Sequence, residues 1–424
     1  MSGPSSAVRR VLLLTHRVPW PPDRGDRIRS YNLLRVLSRH FAVSLACVSD
    51  EPVTAAQQRE LEKLTRQLAI AQVPAAQSRW RGVKALLAGQ AATPAAFYEP
   101  VLADTVAEWH RADPFDAVIV FCTGMWRYLG ALTPPPRVRI LDMVDVDSLK
   151  WAAYADATRS PMRWVYRTEA QRLREIEIRA AHNVNAITLI SDAEVRAYHQ
   201  HVLGRRTTRA KILAAGNGVD LRYFHPLSDP DQSVIGFVGV LDYPPNERGI
   251  CWFAREVLPK LRQHVPEAKL LIVGRNPTRQ VLRLAGTPGV EVVGPVDDVR
   301  HAIARCSVMI APLPIARGVQ NKVLEAMACS RAVVASPQAF EGIRAEPNRH
   351  LLVADTPDQW TTALTKLLTD LKARHTLATA AREQIEQHYH WSATLQPLLD
   401  VLTDESNTGE KRQATKSYAK AARV

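Results

Sequence analysis

Lys322 and Glu325 stand three residues apart, the spacing that brings two side chains to one side of a helix. They belong to Gly318-Val319-Gln320-Asn321-Lys322-Val323-Leu324-Glu325-Ala326-Met327-Ala328, which follows the apolar run 308–311 through the stiff connection Pro312-Leu313-Pro314. A helix N-terminus presents free N–H groups and a positive dipole end to a phosphate, and Lys322 adds a full charge. Glu325, one turn deeper, is a bidentate acceptor for two neighbouring hydroxyls such as those of a ribose. Together they could grip a nucleoside diphosphate. A solvated pair on an ordinary amphipathic helix fits the same pattern, because Val319, Val323, Leu324 and Met327 supply an apolar stripe.

A second polar group follows the apolar run 11–15. The loop His16-Arg17-Val18-Pro19-Trp20-Pro21-Pro22-Asp23-Arg24-Gly25-Asp26 leads into a helix from about Asp26, with Ile28, Leu33, Leu34 and Leu37 facing the core. A strand, a Gly-bearing loop and a helix place a ligand at the helix N-terminus. Gly25 stands alone where Gly-x-Gly-x-x-Gly would be required, so a dinucleotide site is disfavoured. Asp142, Asp145 and Asp147 alternate after a further strand and could bind a metal, supply a base or act as solvated caps. All three are expected on one strand face. Arg275 ends the run 269–273 and belongs at the same sheet edge as Lys322.

The elements that must position these residues alternate as strand and helix. Strands are predicted over 11–15, 43–48, 118–121, 138–141 and 186–190, with helices over 54–69 and 161–181 and a helix capped by Ser191 or Asp192. The pattern repeats in strands 234–238, 269–273, 290–293 and 308–311 and in a short β-branched strand with polar ends within 329–336. Gly239 opens a loop that ends where Asn246 or Glu247 starts a helix through Leu261. Residues 357–403 read as helix, broken in two by His388-Tyr389-His390-Trp391. This is an α/β chain with parallel sheets covered on both faces. The expected division is a disordered 1–9, a first domain 10–222, a second domain 223–404 and a disordered basic tail 405–424. Residues 227–232 form the linker, and the last helix is placed to pack back on the first domain.

The net charge of +13 sits mainly on the first half: residues 1–222 hold 31 basic and 21 acidic side chains, whereas 223–404 hold 19 of each. Such a face suits an anionic membrane or another polyanion, and equally a chain that uses Arg for solubility. No interleaved basic and aromatic motif accompanies it, which speaks against nucleic acid. The segment Ser78-Arg79-Trp80-Arg81-Gly82-Val83-Lys84-Ala85-Leu86-Leu87 is basic on one side and apolar on the other, fitting a membrane surface or a docked surface helix. Five scattered cysteines lack metal or redox spacing and imply a reducing compartment. No apolar run approaches the roughly 18 residues of a membrane span, and the block 11–14 is too short for a signal peptide. A cytoplasmic protein at or near the inner face of the plasma membrane is the expectation.

Several motifs carry a family likeness. His16-Arg17-x-Pro-x-Pro-Pro-x-x-Gly-Asp-x-x-Arg ends at Arg29; Asn217-Gly218-Val219-Asp220 precedes Phe224-His225-Pro226. Asp242-Tyr243-Pro244-Pro245-Asn246, Val273-Gly274-Arg275-Asn276-Pro277 and Ala316-Arg317-Gly318-Val319-Gln320-Asn321-Lys322, running on to Glu325-Ala326-Met327-Ala328, complete the set. Over about residues 10–400 the chain resembles family 4 of the retaining glycosyltransferases, and within it a bacterial branch associated with exopolysaccharide and exosortase (PEP-CTERM) loci.

The resemblance implies the GT-B fold, two Rossmann-like domains facing a central cleft, with the nucleotide sugar on the second domain and the acceptor on the first. By position, Glu325 would hold the donor ribose. Arg317, Gly318, Val319, Gln320 and Asn321 would face the diphosphate and sugar, with Gly239 and Asn246 completing the donor site. Lys322 and Arg275 would stabilise the leaving diphosphate, and Asp145 would be the acid/base or orienting group. His16, Arg17, Gly25, Asp26 and Arg29 would form the acceptor-side loop that approaches the diphosphate. Arg317 stands where many members carry Glu, so the sugar is not readable, and the segment 142–147 stands where many carry His. No metal or cofactor is implied; the partners are a nucleotide-sugar donor and a glycan or polyprenyl-linked acceptor. The alternatives are a nucleotide-sugar epimerase on the same fold and a non-catalytic nucleotide-sugar-binding scaffold.

Overall fold

The computed structural model describes residues 10–230, 232–316 and 319–404; the expected disordered ends lie outside them. The chain divides after Ala215 into two compact units, and it returns to the first unit from Leu395.

Unit 1 carries strands β1 (Arg10–Thr15), β2 (Ala42–Ser49), β3 (Gln67–Gln72), β4 (Ala117–Phe121), β5 (Val138–Val144), β6 (Ala186–Leu189) and β7 (Lys211–Ala214). They form a parallel sheet in the order β3-β2-β1-β4-β5-β6-β7. The central strands are continuous apolar runs because both faces are covered; every residue of β1 is buried. Around the sheet run α1 (Gly25–Leu37), α2 (Ala55–Glu62), α3 (Ala75–Leu87), α4 (Ala92–Ala96), α5 (Pro100–Ala112), α6 (Asp147–Ala157), α7 (Met162–Asn183) and α8 (Asp192–Ala197).

The helix expected over 54–69 is shorter. Thr54 and Gln57 form a reciprocal capping box that starts α2, but α2 ends at Glu62. Residues 67–72 instead pair with β2 as β3, with Ser44 Oγ donating to Gln67 Oε1 at 2.9 Å. Leu68-Ala69-Ile70-Ala71 is too short for its period to distinguish helix from strand, and the open edge of β2 decides.

Helix α7 closes the ends of three others. Glu169 accepts from the Ala92 and Thr93 N–H groups at 2.7 and 2.8 Å, Glu177 accepts from Ser148 N at 2.9 Å, and Arg172 donates to the carbonyls of Leu86 and Gln90 at 3.0 and 2.8 Å. Helix ends buried in a fold need such partners.

Unit 2 carries β8 (Val234–Val238), β9 (Lys269–Val273), β10 (Val290–Gly294), β11 (Val308–Ala311), β12 (Ala332–Ala335) and β13 (Leu352–Val353), parallel in the order β10-β9-β8-β11-β12-β13. Its helices are α9 (Pro244–Trp252), α10 (Leu258–His264), α11 (Arg279–Arg283), α12 (Val299–Ala304), α13 (Asn321–Ala328), α14 (Pro337–Phe340), α15 (Pro357–Thr369), α16 (Leu371–His388) and α17 (Trp391–Thr394). The helix expected from Asn246 or Glu247 begins at Pro244, and a wider turn over Phe253–Val257 precedes α10. Pro259 has no N–H to continue the ladder, and the wide turn absorbs the gap. The stretch 357–403 breaks at Asp370 as well as at 389–390, because Asp370 caps α16 through Ala373 N.

Residues read as a linker are anchored in this unit. Buried Arg331 donates to the carbonyls of Leu227 and Ser228, and Arg374 pairs with Asp229 at 2.9 Å. Helix α18 (Gln396–Thr403) belongs to unit 1, where it contacts β5, β6 and β7 and buries Leu398, Leu399, Val401 and Leu402.

Candidate active site

In unit 2 the connections leaving β8 and β11 run to opposite sides of the sheet, so a crevice opens at the carboxyl ends of these two neighbours. Gly239 follows β8 and α13 follows β11. Lys322 Nζ donates to Asn246 Oδ1 at 2.6 Å, and Asn246 Nδ2 donates to Val240 O at 2.8 Å. The ammonium also lies 4.7 Å from the Phe237 ring centroid, a cation–π contact. Gly239 leaves room for this arrangement: a Cβ there would stand 2.9 Å from Asn246 Nδ2 and 3.0 Å from Lys322 Nζ.

Glu325 is half-buried one turn along. Burial lowers Lys322 to about 8 against the opposing pull of Glu325. Burial likewise raises Glu325 to about 7 against the pull of Lys322. Gln320 precedes the helix and its carbonyl accepts from Val323 and Leu324 N–H; Val319 packs on the unit's core. Asn321 Oδ1 is buried without a hydrogen-bond partner among the described residues. Arg317 and Gly318 lie outside those residues. Arg275 stands at the end of β9 with its side chain exposed and its carbonyl accepting from Leu241 N at 2.9 Å.

Unit 1 has the same topological crevice between β1 and β4. His16 follows β1, and its ring is stacked on Phe121 (5.6 Å between centroids, 6°) and edge-on to Phe97 (5.2 Å, 75°). His16 Nε2 lies 3.4 Å from Asp26 Oδ2, and Nδ1 lies 3.4 Å from Cys122 Sγ. Asp26 also takes Arg17 Nη1 at 2.6 Å and Arg24 Nε at 3.2 Å. Burial works against a charged His16, yet Cys122 and Asp26 outweigh it and raise the imidazole to about 9. Despite its own partial burial, Asp26 is held well below the usual carboxylate range by His16 and Arg17. Gly25 opens α1, with nothing within 4 Å of where a Cβ would be.

Arg29 does not line this loop. It is 1% exposed and pairs with fully buried Asp142 through Nε–Oδ2 at 2.9 Å and Nη2–Oδ1 at 2.7 Å, with Thr188 donating to Asp142 at 2.7 Å. Its place is structural, fixing α1 to β5. The three aspartates expected on one strand face are split instead. Asp142 is an odd number of residues from Asp145 and Asp147, so a period of two already sets it on the other face; the strand then ends at Val144 (φ 70°), leaving Asp142 inside the sheet, Asp145 half-buried in the following bend and Asp147 opening α6. Glu194 Oε2 steadies this bend by accepting from Val146 N at 2.9 Å. Asp147 accepts from Thr123 Oγ1, and burial raises its carboxyl above the usual range. Cys122 and Thr123 were not singled out as site residues from sequence; a Cys-Thr pair directly after the buried run 117–121 at the crevice was the available signal. Among the described residues no group of three or more His, Cys, Asp or Glu could hold a metal ion.

Residues 232–370 match a family model described as glycosyl transferases group 1. The phosphatidyl-myo-inositol mannosyltransferase of Mycolicibacterium smegmatis is 30% identical over 244 residues, covering 52% of this chain and 62% of that protein. That of Mycobacterium tuberculosis is 28% identical over 245 residues, covering 52% and 64%. The match thus spans less than two thirds of these relatives' own length. Among solved structures, sucrose-phosphate synthase from Thermosynechococcus elongatus superposes with a TM-score of 0.65 at 16% identity, covering 93% of this chain and 98% of that one. Anabaena HepE in complex with UDP gives 0.59 at 14%, covering 93% and 99%. Two parallel-sheet α/β units, each with its crevice at the same kind of strand reversal, and these solved neighbours establish that the chain has the GT-B fold.

Proposed function

We propose that the protein is a retaining glycosyltransferase that moves a hexose-type unit from a nucleotide sugar to a glycan or polyprenyl-linked acceptor in bacterial exopolysaccharide or cell-surface polysaccharide synthesis. The observation that carries this reading is the Lys322–Asn246 pair over Gly239, with Glu325 one turn deeper, at the crevice of unit 2. Lys322 and the start of α13 face the diphosphate, and Glu325 takes the ribose hydroxyls. Asn321 Oδ1 awaits a donor such as a ligand hydroxyl. Departure of the nucleoside diphosphate develops negative charge, which Lys322, Arg275 and the helix N-terminus stabilise without requiring a divalent cation. Asp145 is the proposed acid/base or orienting group. His16, Arg17, Gly25 and Asp26 serve the acceptor side. The mannosyltransferase relatives, whose name specifies a lipid acceptor, and the UDP complex of a structural neighbour support the same reading.

Membrane contact belongs to the proposal. Helix α3 exposes Trp80 (58%), Val83 (45%) and Leu87 (83%) on one side, with Lys84 Nζ 5.5 Å from the Trp80 ring. This face and the basic first half support a peripheral site on the inner face of the plasma membrane.

Ligand-observed NMR across nucleotide sugars tests the donor site. Glu325→Ala should weaken binding roughly 10- to 100-fold, the worth of hydrogen bonds to a charged acceptor, and wild type should release nucleoside diphosphate when given acceptor. Equal binding by the variant would remove Glu325 from the site. Binding without turnover would favour a scaffold, and altered free sugar without acceptor an epimerase.

A further inference from the structure

Cys122 stands apart from the other cysteines. Cys47, Cys251, Cys306 and Cys329 are buried, and burial pushes Cys47, Cys306 and Cys329 up to about 12. Cys122 is the one of the five that reaches the surface in part. It directly follows β4 with φ 62° and ψ 164°, a backbone region ordinarily left to glycine, and is held there by its N–H donating to Asp142 O at 2.8 Å. This geometry sets Sγ 3.4 Å from His16 Nδ1, while the opposite ring nitrogen faces Asp26. The Phe121 and Phe97 rings fix the imidazole plane, and Arg17 and Arg24 fix the carboxylate. Sulfur, imidazole and carboxylate therefore follow one another in hydrogen-bonding sequence on three separate elements. That is the arrangement in which a base withdraws the thiol proton and a third group orients the base.

We propose that Cys122, His16 and Asp26 form a reactive thiol site that exchanges with low-molecular-weight disulfides. The Cys122 sulfur, its proton passed to His16, attacks one sulfur of the disulfide. A new S–S bond forms at Cys122, the original S–S bond breaks, and the other half departs as a thiolate that takes the proton back from His16. Cys122 is oxidised and the departing half reduced, with no other oxidant required. The adduct sits at the sheet edge that carries the Gly25 loop. It would block sugar transfer there, a consequence that rests on the function proposed above; the thiol chemistry itself does not.

The test is time-resolved mass spectrometry of the native full-length protein at pH 7 with limiting iodoacetamide and, separately, with glutathione disulfide. The expected result is one adduct per chain, mapped to Cys122, forming at least tenfold faster than on the thiols of the urea-unfolded chain. Cys122→Ser should abolish it while nucleotide-sugar binding persists, and His16→Gln should slow it about tenfold in a chain whose thermal melt shows it folded. Labelling no faster than in the unfolded chain, or first on another cysteine, would overturn the proposal without any variant. A wild-type rate in folded His16→Gln would overturn the role of the imidazole. Nucleotide binding dependent on Glu325 is measured on the same samples, so failure of one reading is distinguishable from failure of the other.

Discussion

Asn246 and Lys322 meet over a position with no room for a side chain. The atoms that a Cβ at Gly239 would strike are an amide and an ammonium at the ends of side chains, not backbone. Gly239→Ala should therefore fold but displace the pair, weakening nucleoside diphosphate binding about tenfold, or roughly 1.4 kcal/mol. Calorimetric titration checks the affinity and a thermal melt checks the fold; unchanged affinity would show that the pair does not touch the ligand. Lys322, Glu325 and Asn246 were legible in the sequence because their spacing follows helical geometry and strand ends. Cys122 was not, since a single cysteine closing an apolar strand reads as core, and its importance comes from His16, 106 residues away. Arg29 misled for the complementary reason: a charge in a polar motif reads as surface until Asp142 is seen buried against it.

Among the elements, α7 has a role its sequence did not announce. It is dense in Glu and Arg, and Glu177 within it is fully buried and accepts both the N–H and the hydroxyl of Ser148 at the start of α6. Burial raises Glu177 to about 8 against these hydrogen bonds. A folded-state value above the unfolded one near 4.5 means that the folded chain holds this proton more tightly. Glu177 thus contributes stability that is full below about pH 4.5 and is lost as pH rises through about 8. Urea denaturation from pH 5 to 8 should show this decline in wild type and a flatter profile in Glu177→Gln; identical slopes would mean that Glu177 titrates normally. The element boundaries that were legible are those with a local chemical cause, such as the helix starts at Thr54 and Ser191, whereas the Asp370 cap inside 357–403 went unread. The missed strand β3 has no such local cause and exists through pairing with β2.

At the scale of the whole molecule the two units repeat one solution, a parallel sheet whose reversal of strand order opens a crevice. That much was legible because buried parallel strands are continuous apolar runs, and the alternation of runs with amphipathic stretches occurs twice. The charge is not shared equally, with the excess of basic residues in 1–222, where α3 exposes its apolar side. In flotation with anionic liposomes the protein should rise at low salt and dissociate as salt increases. A Trp80→Ser, Leu87→Ser double variant should lose most of this binding without losing nucleotide-sugar binding. Equal flotation by the double variant would move the contact elsewhere, and no salt-sensitive association would remove the membrane from the proposal.

The return of α18 to unit 1 also sets an order of events during synthesis. The sheet of unit 1 is complete in the nascent chain by Ala214, but the faces of β5, β6 and β7 that receive Leu398, Leu399, Val401 and Leu402 wait for α18 to leave the ribosome. Unit 2, from Gly216 to Thr394, has all its parts before that helix emerges. Unit 1, begun first, is therefore completed after unit 2, and a stop codon placed before Gln396 would damage the amino-terminal unit.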